Sequence, residues 1–153
     1  GVLVQHAAYT VAVPNVAPLS PRLEKPAVVA YVWDRFRKPV PFEPSVAWDI
    51  GDVFERKVDM ARCHKSQMYE WLPYNDGRLA EIPEGDAERR AYLAKRLRDR
   101  FRRVADTCRD ALKKWYGPDR GERIEFAEAV EISEYGAPLK DEDVPRLFPF
   151  LPS

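Results

Sequence analysis

A single apolar seam through residues 86–116 is the feature that most constrains how this chain can fold. Its apolar side chains recur at every third or fourth position: Ala94, Leu97, Phe101, Val104, Cys108, Ala111 and Trp115. This spacing is typical of one face of an α-helix, and a Gly-Pro pair such as Gly117-Pro118 commonly ends a helix. The sequence therefore predicts one long amphipathic helix that packs against the rest of the chain along this seam.

The other face of this predicted helix is basic. Residues 86–116 hold eleven Lys or Arg against five Asp or Glu, whereas residues 117–153 hold nine acidic and four basic residues. The net charge of the chain is zero, so bulk charge does not favour nucleic acid or an anionic membrane. Aromatic side chains are not interleaved on the basic face, which disfavours a nucleic-acid partner. The basic face either pairs with the acidic C-terminal segment or binds an acidic partner.

The continuous apolar run Ala27–Trp33 indicates a β-strand buried on both faces, as in a parallel α/β sheet. A second strand is indicated by alternation of apolar residues from Ile124 to Ile132, which places Glu128 on the apolar side. An inward carboxylate is costly unless it is paired. Glu128 therefore either lies at a bulge or has a buried partner such as Arg, which we favour, or it supports a functional site. Leu147–Leu151 is expected to dock by its aromatic rings.

A second amphipathic helix is predicted from about Val53 to Trp71, with Asp52 and Glu55 as a capping box. Its spacing puts Met60, His64 and Gln67 together on the edge of the apolar face. Two polar groups on a half-buried edge need hydrogen-bond partners or a function.

The two cysteines, Cys63 and Cys108, both lie at or beside apolar helical stripes. Buried free thiols are therefore favoured over a disulfide. Two cysteines and one plausible histidine do not make a tetrahedral zinc site. No apolar run approaches the roughly 20 residues that a membrane span needs.

The same segments resemble the C-terminal half of the PIG-L/LmbE-like zinc-dependent N-deacetylases. That family shows a valine-Asp-Ile stretch, a helix with a Lys, and then His-x-Ser-Gln, which here correspond to Asp49-Ile50, Lys57 and His64-Lys65-Ser66-Gln67. The segments Ala127–Val130, Ser133–Gly136 and Leu147–Phe150 are similar to the end of one bacterial branch. The resemblance covers nearly the whole chain.

The resemblance implies that residues 1–153 form one partial domain, an incomplete C-terminal part of a Rossmann-like α/β sheet with flanking helices. The family's zinc ligands lie in a His-Pro-Asp-Asp loop and a His-rich segment, and neither motif occurs in this sequence. Zinc is thus expected in the intact family but not bound to this chain alone. No catalytic or metal-ligating residue is predicted here, and Lys57, His64, Gln67 and Glu128 are the possible site-supporting residues.

Two functions from different classes are compatible with the sequence. The first, implied by the resemblance, is the C-terminal part of a hydrolase that removes N-acetyl groups from N-acetylglucosamine-type sugars or sugar conjugates. It would be inactive without its N-terminal half. In that hypothesis His64 either reaches into the completed site or, as we favour, holds the sheet edge through a hydrogen bond. Lys57 is expected to be a helix-surface or carboxylate-pairing residue rather than a catalyst. The second is a non-catalytic α/β interaction module that binds an acidic protein partner through the basic helix.

Overall fold

A computed structural model describes residues 1–152, which form a mixed α/β structure. The helices in the described residues are α1 (Val2–Thr10), α2 (Phe54–Arg62), α3 (Leu72–Asn75), α4 (Asp86–Thr107), α5 (Arg109–Tyr116), α6 (Pro118–Arg123) and α7 (Val144–Leu147). The strands are β1 (Ala30–Val32), β2 (Val46–Asp49) and β3 (Ala127–Ile132). The predicted α/β class is confirmed at this level.

The described strands form one antiparallel sheet in the order β1-β3-β2. The prediction that Ala27–Trp33 is a parallel strand buried on both faces is wrong. β1 is a three-residue edge strand that pairs only with β3, and the Val32 side chain is 76% exposed. A continuous apolar run does not reveal how many neighbours its strand has, and here only one flank of β1 is paired. These strands do not confirm a Rossmann-like sheet.

One face of the sheet is lined by small side chains. Ala47 lies opposite Ala129 in the register of β2 and β3, and Asp49 lies opposite Ala127. Ala47, Ala127 and Ala129 are almost fully buried, and they pack against Val104, Ala105, Cys108, Ala111 and Leu112 of the α4–α5 region. Helix and sheet can approach closely because no long side chain separates them.

The apolar seam of residues 86–116 is confirmed, with one interruption. The chain leaves helical geometry at Cys108 (φ −104°, ψ 24°), which separates α4 from α5. The buried side chains of the seam are Ala94, Phe101, Val104, Cys108 and Ala111, and Leu97 and Trp115 are half-buried. Gly117, with φ +80°, ends α5 as predicted, and Pro118 begins α6.

Helix α2 packs on the N-terminal half of α4. Phe54 and Val58 are buried in one apolar cluster with Ala94 and Phe101, and the Phe54 ring stacks on Phe126 with centroids 4.8 Å apart. The predicted capping box is wrong, because α2 begins at Phe54 without a side-chain cap and Asp52 lies in a preceding 3₁₀ turn.

The opposite face of the sheet carries Trp48, which is covered by the C-terminal segment. The Trp48 ring lies 6.1 Å from Phe148 and 5.3 Å from Phe150, centroid to centroid. The expected docking of residues 147–151 by aromatic rings is therefore confirmed.

The N-terminal helix α1 contributes no buried side chain. The side-chain amide of Gln5 donates a hydrogen bond to the Tyr31 hydroxyl at 2.7 Å, while Val2, Leu3 and Val4 are exposed.

Among the helices of residues 1–152, none combines the length and apolar character required to cross a bilayer.

Gly121 is the point of closest approach between α5 and α6. A Cβ atom added there would lie 2.6 Å from the Cα of Lys113 and 2.8 Å from the carbonyl carbon of Leu112. Both are backbone atoms, so the clash cannot be relieved by a side-chain rotation.

We expect Gly121→Ala to lower the free energy of unfolding by about 1–3 kcal/mol, the usual cost of overpacking. Urea denaturation monitored by circular dichroism measures this. Gly85→Ala is the matched control, since its added Cβ meets only the flexible Glu88 side chain. Equal unfolding midpoints for the two variants would contradict the close approach.

The two cysteines differ in environment. Both are free thiols, as predicted. Cys108 is fully buried, as predicted, but Cys63 is exposed, so the predicted burial of Cys63 is wrong. Cys63 lies immediately after the last residue of α2, where the chain turns away from the packed face. Burial raises the pKa of the Cys108 thiol to about 11.

At about pH 8 we expect a thiol reagent such as DTNB to label one cysteine rapidly and the other only after unfolding, since the thiolate is the reactive form. Cys63→Ser should abolish the rapid phase, whereas Cys108→Ser should leave it intact. Two rapid phases in the folded protein would show that Cys108 is accessible.

Candidate functional site

The predicted helix Val53–Trp71 is interrupted in the structure. Helix α2 ends at Arg62, the chain turns at Cys63 and His64, and a π-helical segment, Gln67–Trp71, then leads into α3. Pro73 in the first turn of α3 provides a physical reason for the wide turn, because a proline ring clashes with the carbonyl four residues earlier in a regular α-helix. π-Helical turns occur frequently at functional sites.

His64 and Gln67 lie at this interruption, and both are exposed. The prediction that they share a half-buried edge with Met60 is wrong, because the helix does not continue through His64 and Met60 is itself exposed. The favoured structural role for His64 also lacks its hydrogen bond, since within residues 1–152 only the backbone of His64 forms hydrogen bonds, with Ala61 and Met68.

The π-helical segment forms one wall of an open groove of about 820 Å³. Its lining residues are Ser66, Gln67, Glu70, Trp71, Tyr74 and Leu79. Trp71 is 56% exposed and Tyr74 is 70% exposed, so two aromatic side chains are available to a ligand. We refer to this surface as the Trp71 groove.

The Trp71 groove combines aromatic surface with groups that form hydrogen bonds. Trp and Tyr offer rigid apolar area together with a polar N–H or O–H group, and Ser66, Gln67 and Glu70 add a hydroxyl, an amide and a carboxylate. Such a lining suits a ligand that has both an apolar face and several hydroxyl or amide groups.

Lys57 and Glu128 form an ion pair between α2 and β3. The Lys57 Nζ lies 2.7 Å from the Glu128 Oε1, and the two side chains are 29% and 33% exposed. The same Nζ is 5.3 Å from the centroid of the Phe101 ring. The expectation that Glu128 has a partner is confirmed, although the partner is Lys57 rather than Arg, and so is the expectation that Lys57 pairs with a carboxylate.

The structure thus brings together only part of the sequence-predicted set. Lys57 binds Glu128, and Gln67 lines the Trp71 groove. Within the described residues, His64 forms no hydrogen bond with Lys57 or with Glu128. Sequence reasoning missed Glu70, Trp71 and Tyr74. The spacing of Trp71 and Tyr74, three residues apart on a helical segment, was the available signal.

The described residues do not fit a zinc ion. In residues 1–152 no three His, Cys, Asp or Glu side chains are grouped so that they could hold a metal. A zinc site needs three or four such ligands in tetrahedral arrangement.

Many cations of the basic helix are engaged within the protein. Six of the eleven pair with carboxylates: Arg90, Arg96, Arg98, Arg102, Arg109 and Lys113. Only the partners of Arg102 and Lys113, which are Glu125 and Glu122, lie in the acidic segment 117–153. The expected pairing with that segment is therefore only a small part of the charge arrangement.

Helix α2 supplies two of these carboxylates, Glu55 and Asp59. Arg90 donates hydrogen bonds to Asp59 at 2.7 Å and to Glu55 at 2.9 Å, and Arg98 donates to Glu55 at 2.9 Å. The hydrogen bond from Arg90 holds the pKa of Asp59 below its usual value, and the hydrogen bond to Asp59 raises the pKa of Arg90. These ion pairs hold α2 against α4.

Comparisons with protein families, with characterised proteins and with solved structures gave no match to this chain.

A double-mutant cycle with Lys57→Met and Glu128→Gln should give a coupling free energy of about 1 kcal/mol, because the pair is only partly exposed to solvent. Chemical denaturation of the four proteins measures it. The exposed pair Lys140–Glu142, 3.4 Å apart, is the matched control and should couple more weakly. Coupling near zero at Lys57–Glu128 would show that the contact does not stabilise the fold.

Proposed function

We propose that this chain is the C-terminal part of a zinc-dependent N-deacetylase that acts on N-acetylglucosamine-type sugars or sugar conjugates. In this proposal the chain contributes a sugar-binding surface and the N-terminal half contributes the metal site. The Trp71 groove is the observation that carries the proposal, because it is built on the same segment as His64-Lys65-Ser66-Gln67.

The composition of the groove supports a sugar ligand. A pyranose ring has an apolar face that can lie against an aromatic ring, and its hydroxyl and acetamido groups need hydrogen-bond partners. Trp71 and Tyr74 supply the aromatic surface, while Gln67 and Glu70 supply an amide and a carboxylate beside it.

The fold is compatible with an N-terminal half that continues the sheet, which is the Rossmann-like arrangement implied by the resemblance. In β1 the backbone of Tyr31 faces β3, so Ala30 and Val32 direct their N–H and C=O groups to the open edge. Their exposed apolar side chains leave room for a further strand.

The alternative function, an interaction module that binds an acidic partner through the basic helix, has weaker support. Arg90, Arg96 and Arg98 already bind carboxylates of Asp59, Glu55 and Asp76. At the centre of the solvent-facing side, Lys95 and Arg103 alternate with Asp99 and Asp106, so this face is of mixed charge.

The sugar-binding part of the proposal is tested by titrating the chain with N-acetylglucosamine and following the indole N–H signals by NMR. We expect a saturable shift of the Trp71 signal, with Kd on the order of 1–10 mM as for a small ligand in an open groove. Trp71→Ala should weaken binding, seen at backbone amides of residues 66–70, by about 10-fold, the effect of losing an aromatic contact.

Tyr9→Ala is the matched control, because Tyr9 is exposed on α1 far along the chain from the groove. The control should bind the sugar like the original chain. Absence of saturable shifts, or equal weakening in both variants, would reject the groove as a sugar site.

Release of acetate from an N-acetylglucosamine substrate is expected only when the chain is joined to an N-terminal half that carries the metal ligands. Failure of such a protein that is folded and loaded with zinc would reject the enzymatic part.

A further inference from the structure

A second concavity, of about 360 Å³, lies where the chain enters β3, remote in sequence from the Trp71 groove. Its lining residues are Asp49, Gly51, Arg120, Arg123, Ile124, Glu125 and Phe126. Arg120 and Arg123 of α6 thus place two guanidinium groups, which are donors suited to an anion, at one small concavity.

The carboxylates near these two arginines contact other groups. Glu122 binds Lys113 at 2.6 Å, and Glu125 lies 3.8 Å from Arg102. The Asp49 carboxylate, which also lines the concavity, accepts a hydrogen bond from the backbone N–H of Gly51 at 2.8 Å. Arg120 and Arg123 are therefore left without an ion-pair partner within the described residues.

The arginines are not needed to complete α6 either. Basic side chains at the end of a helix commonly bind its last carbonyl groups. Here Arg109 does so, because its guanidinium donates to the backbone oxygens of Gly121, Glu122 and Ile124 at 2.9–3.0 Å. Arg120 instead lies over the Tyr116 ring, 4.8 Å from its centroid, a contact that orients the guanidinium and leaves its N–H groups free.

We propose that this concavity binds a phosphate monoester carried on a small organic group. Guanidinium groups match the geometry of phosphate oxygens and bind them in bidentate fashion. Phe126, which is half-buried, provides an apolar surface beside the arginines for the organic part of the ligand, and the buried Ile124 lies behind it. The site is separate from the Trp71 groove and does not depend on the proposed deacetylase function.

The site is tested by titrating the isotope-labelled chain with phenyl phosphate and, separately, with inorganic phosphate. We expect saturable shifts of the backbone amides of Gly51 and Phe126 with phenyl phosphate, and at least ~10-fold weaker binding for the double variant Arg120→Gln/Arg123→Gln. Arg103→Gln, an exposed arginine of α4, is the control and should bind like the original chain. Binding should weaken as salt rises.

Inorganic phosphate should bind more weakly than phenyl phosphate, because it cannot use the apolar surface. Equal affinities would overturn the assignment of an organic ester, and unsaturated or absent shifts would overturn the site itself. An equal loss of affinity in the Arg103→Gln variant and in the double variant would show only nonspecific electrostatic attraction, and it would also reject the proposal. If the double variant fails to melt cooperatively, the single variant Arg123→Gln is titrated in its place, because Arg123 is exposed.

Discussion

Close packing of small side chains between the sheet and the α4–α5 region is the constraint on which the rest of the structure depends. Ala47, Ala127 and Ala129 let the helices approach the strands, and Ala105, Cys108 and Ala111 do the same from the helical side. A larger residue at any of these positions would move helix and sheet apart. The rest of the chain is arranged around this contact: α2 packs beside α4, α6 packs on α5, and the C-terminal segment covers the other face of the sheet.

The ion pairs of α2 connect this core to the candidate sugar site. Glu55 and Asp59 bind arginines of α4, and Lys57 binds Glu128 of β3. Helix α2 is therefore fixed on two sides, by α4 and by the sheet. Because the π-helical segment begins only a few residues after α2 ends, the position of α2 determines where the Trp71 groove begins. Two arginines of the basic helix, Arg90 and Arg98, thus serve an internal purpose that composition alone does not reveal.

Features that depend on local spacing were predictable from the sequence. The seam of residues 86–116, the helix end at Gly117 and the aromatic docking of the C-terminal segment follow from periodicity and turn chemistry, and so does the need of Glu128 for a partner. Features that depend on segments distant in sequence were not predictable. The run Ala27–Trp33 has the composition of a buried strand but lies at the sheet edge, because only β3 pairs with it. Pro73 accounts for the π-helical turn, because its ring would clash with the carbonyl of Tyr69 in a regular α-helix, but it does not account for the earlier break at Cys63 and His64. The shapes of the Trp71 groove and of the concavity beside Arg120 and Arg123 depend on how the backbone turns, and the spacing of three residues within each pair was the local signal.

The close contact at Gly121 has a consequence for local opening of the fold. Helices α5 and α6 touch through backbone atoms there, and Arg109 joins the end of α6 to the region where α5 begins. Neither helix can separate without breaking both contacts, so their amide protons should exchange with solvent together, close to the rate set by global unfolding. The π-helical segment has a wide turn and exposed side chains, so its amide protons should exchange with solvent faster than those of α5 and α6. The chain would therefore combine a rigid unit that holds Arg120 and Arg123 in place with a more adaptable wall beside Trp71.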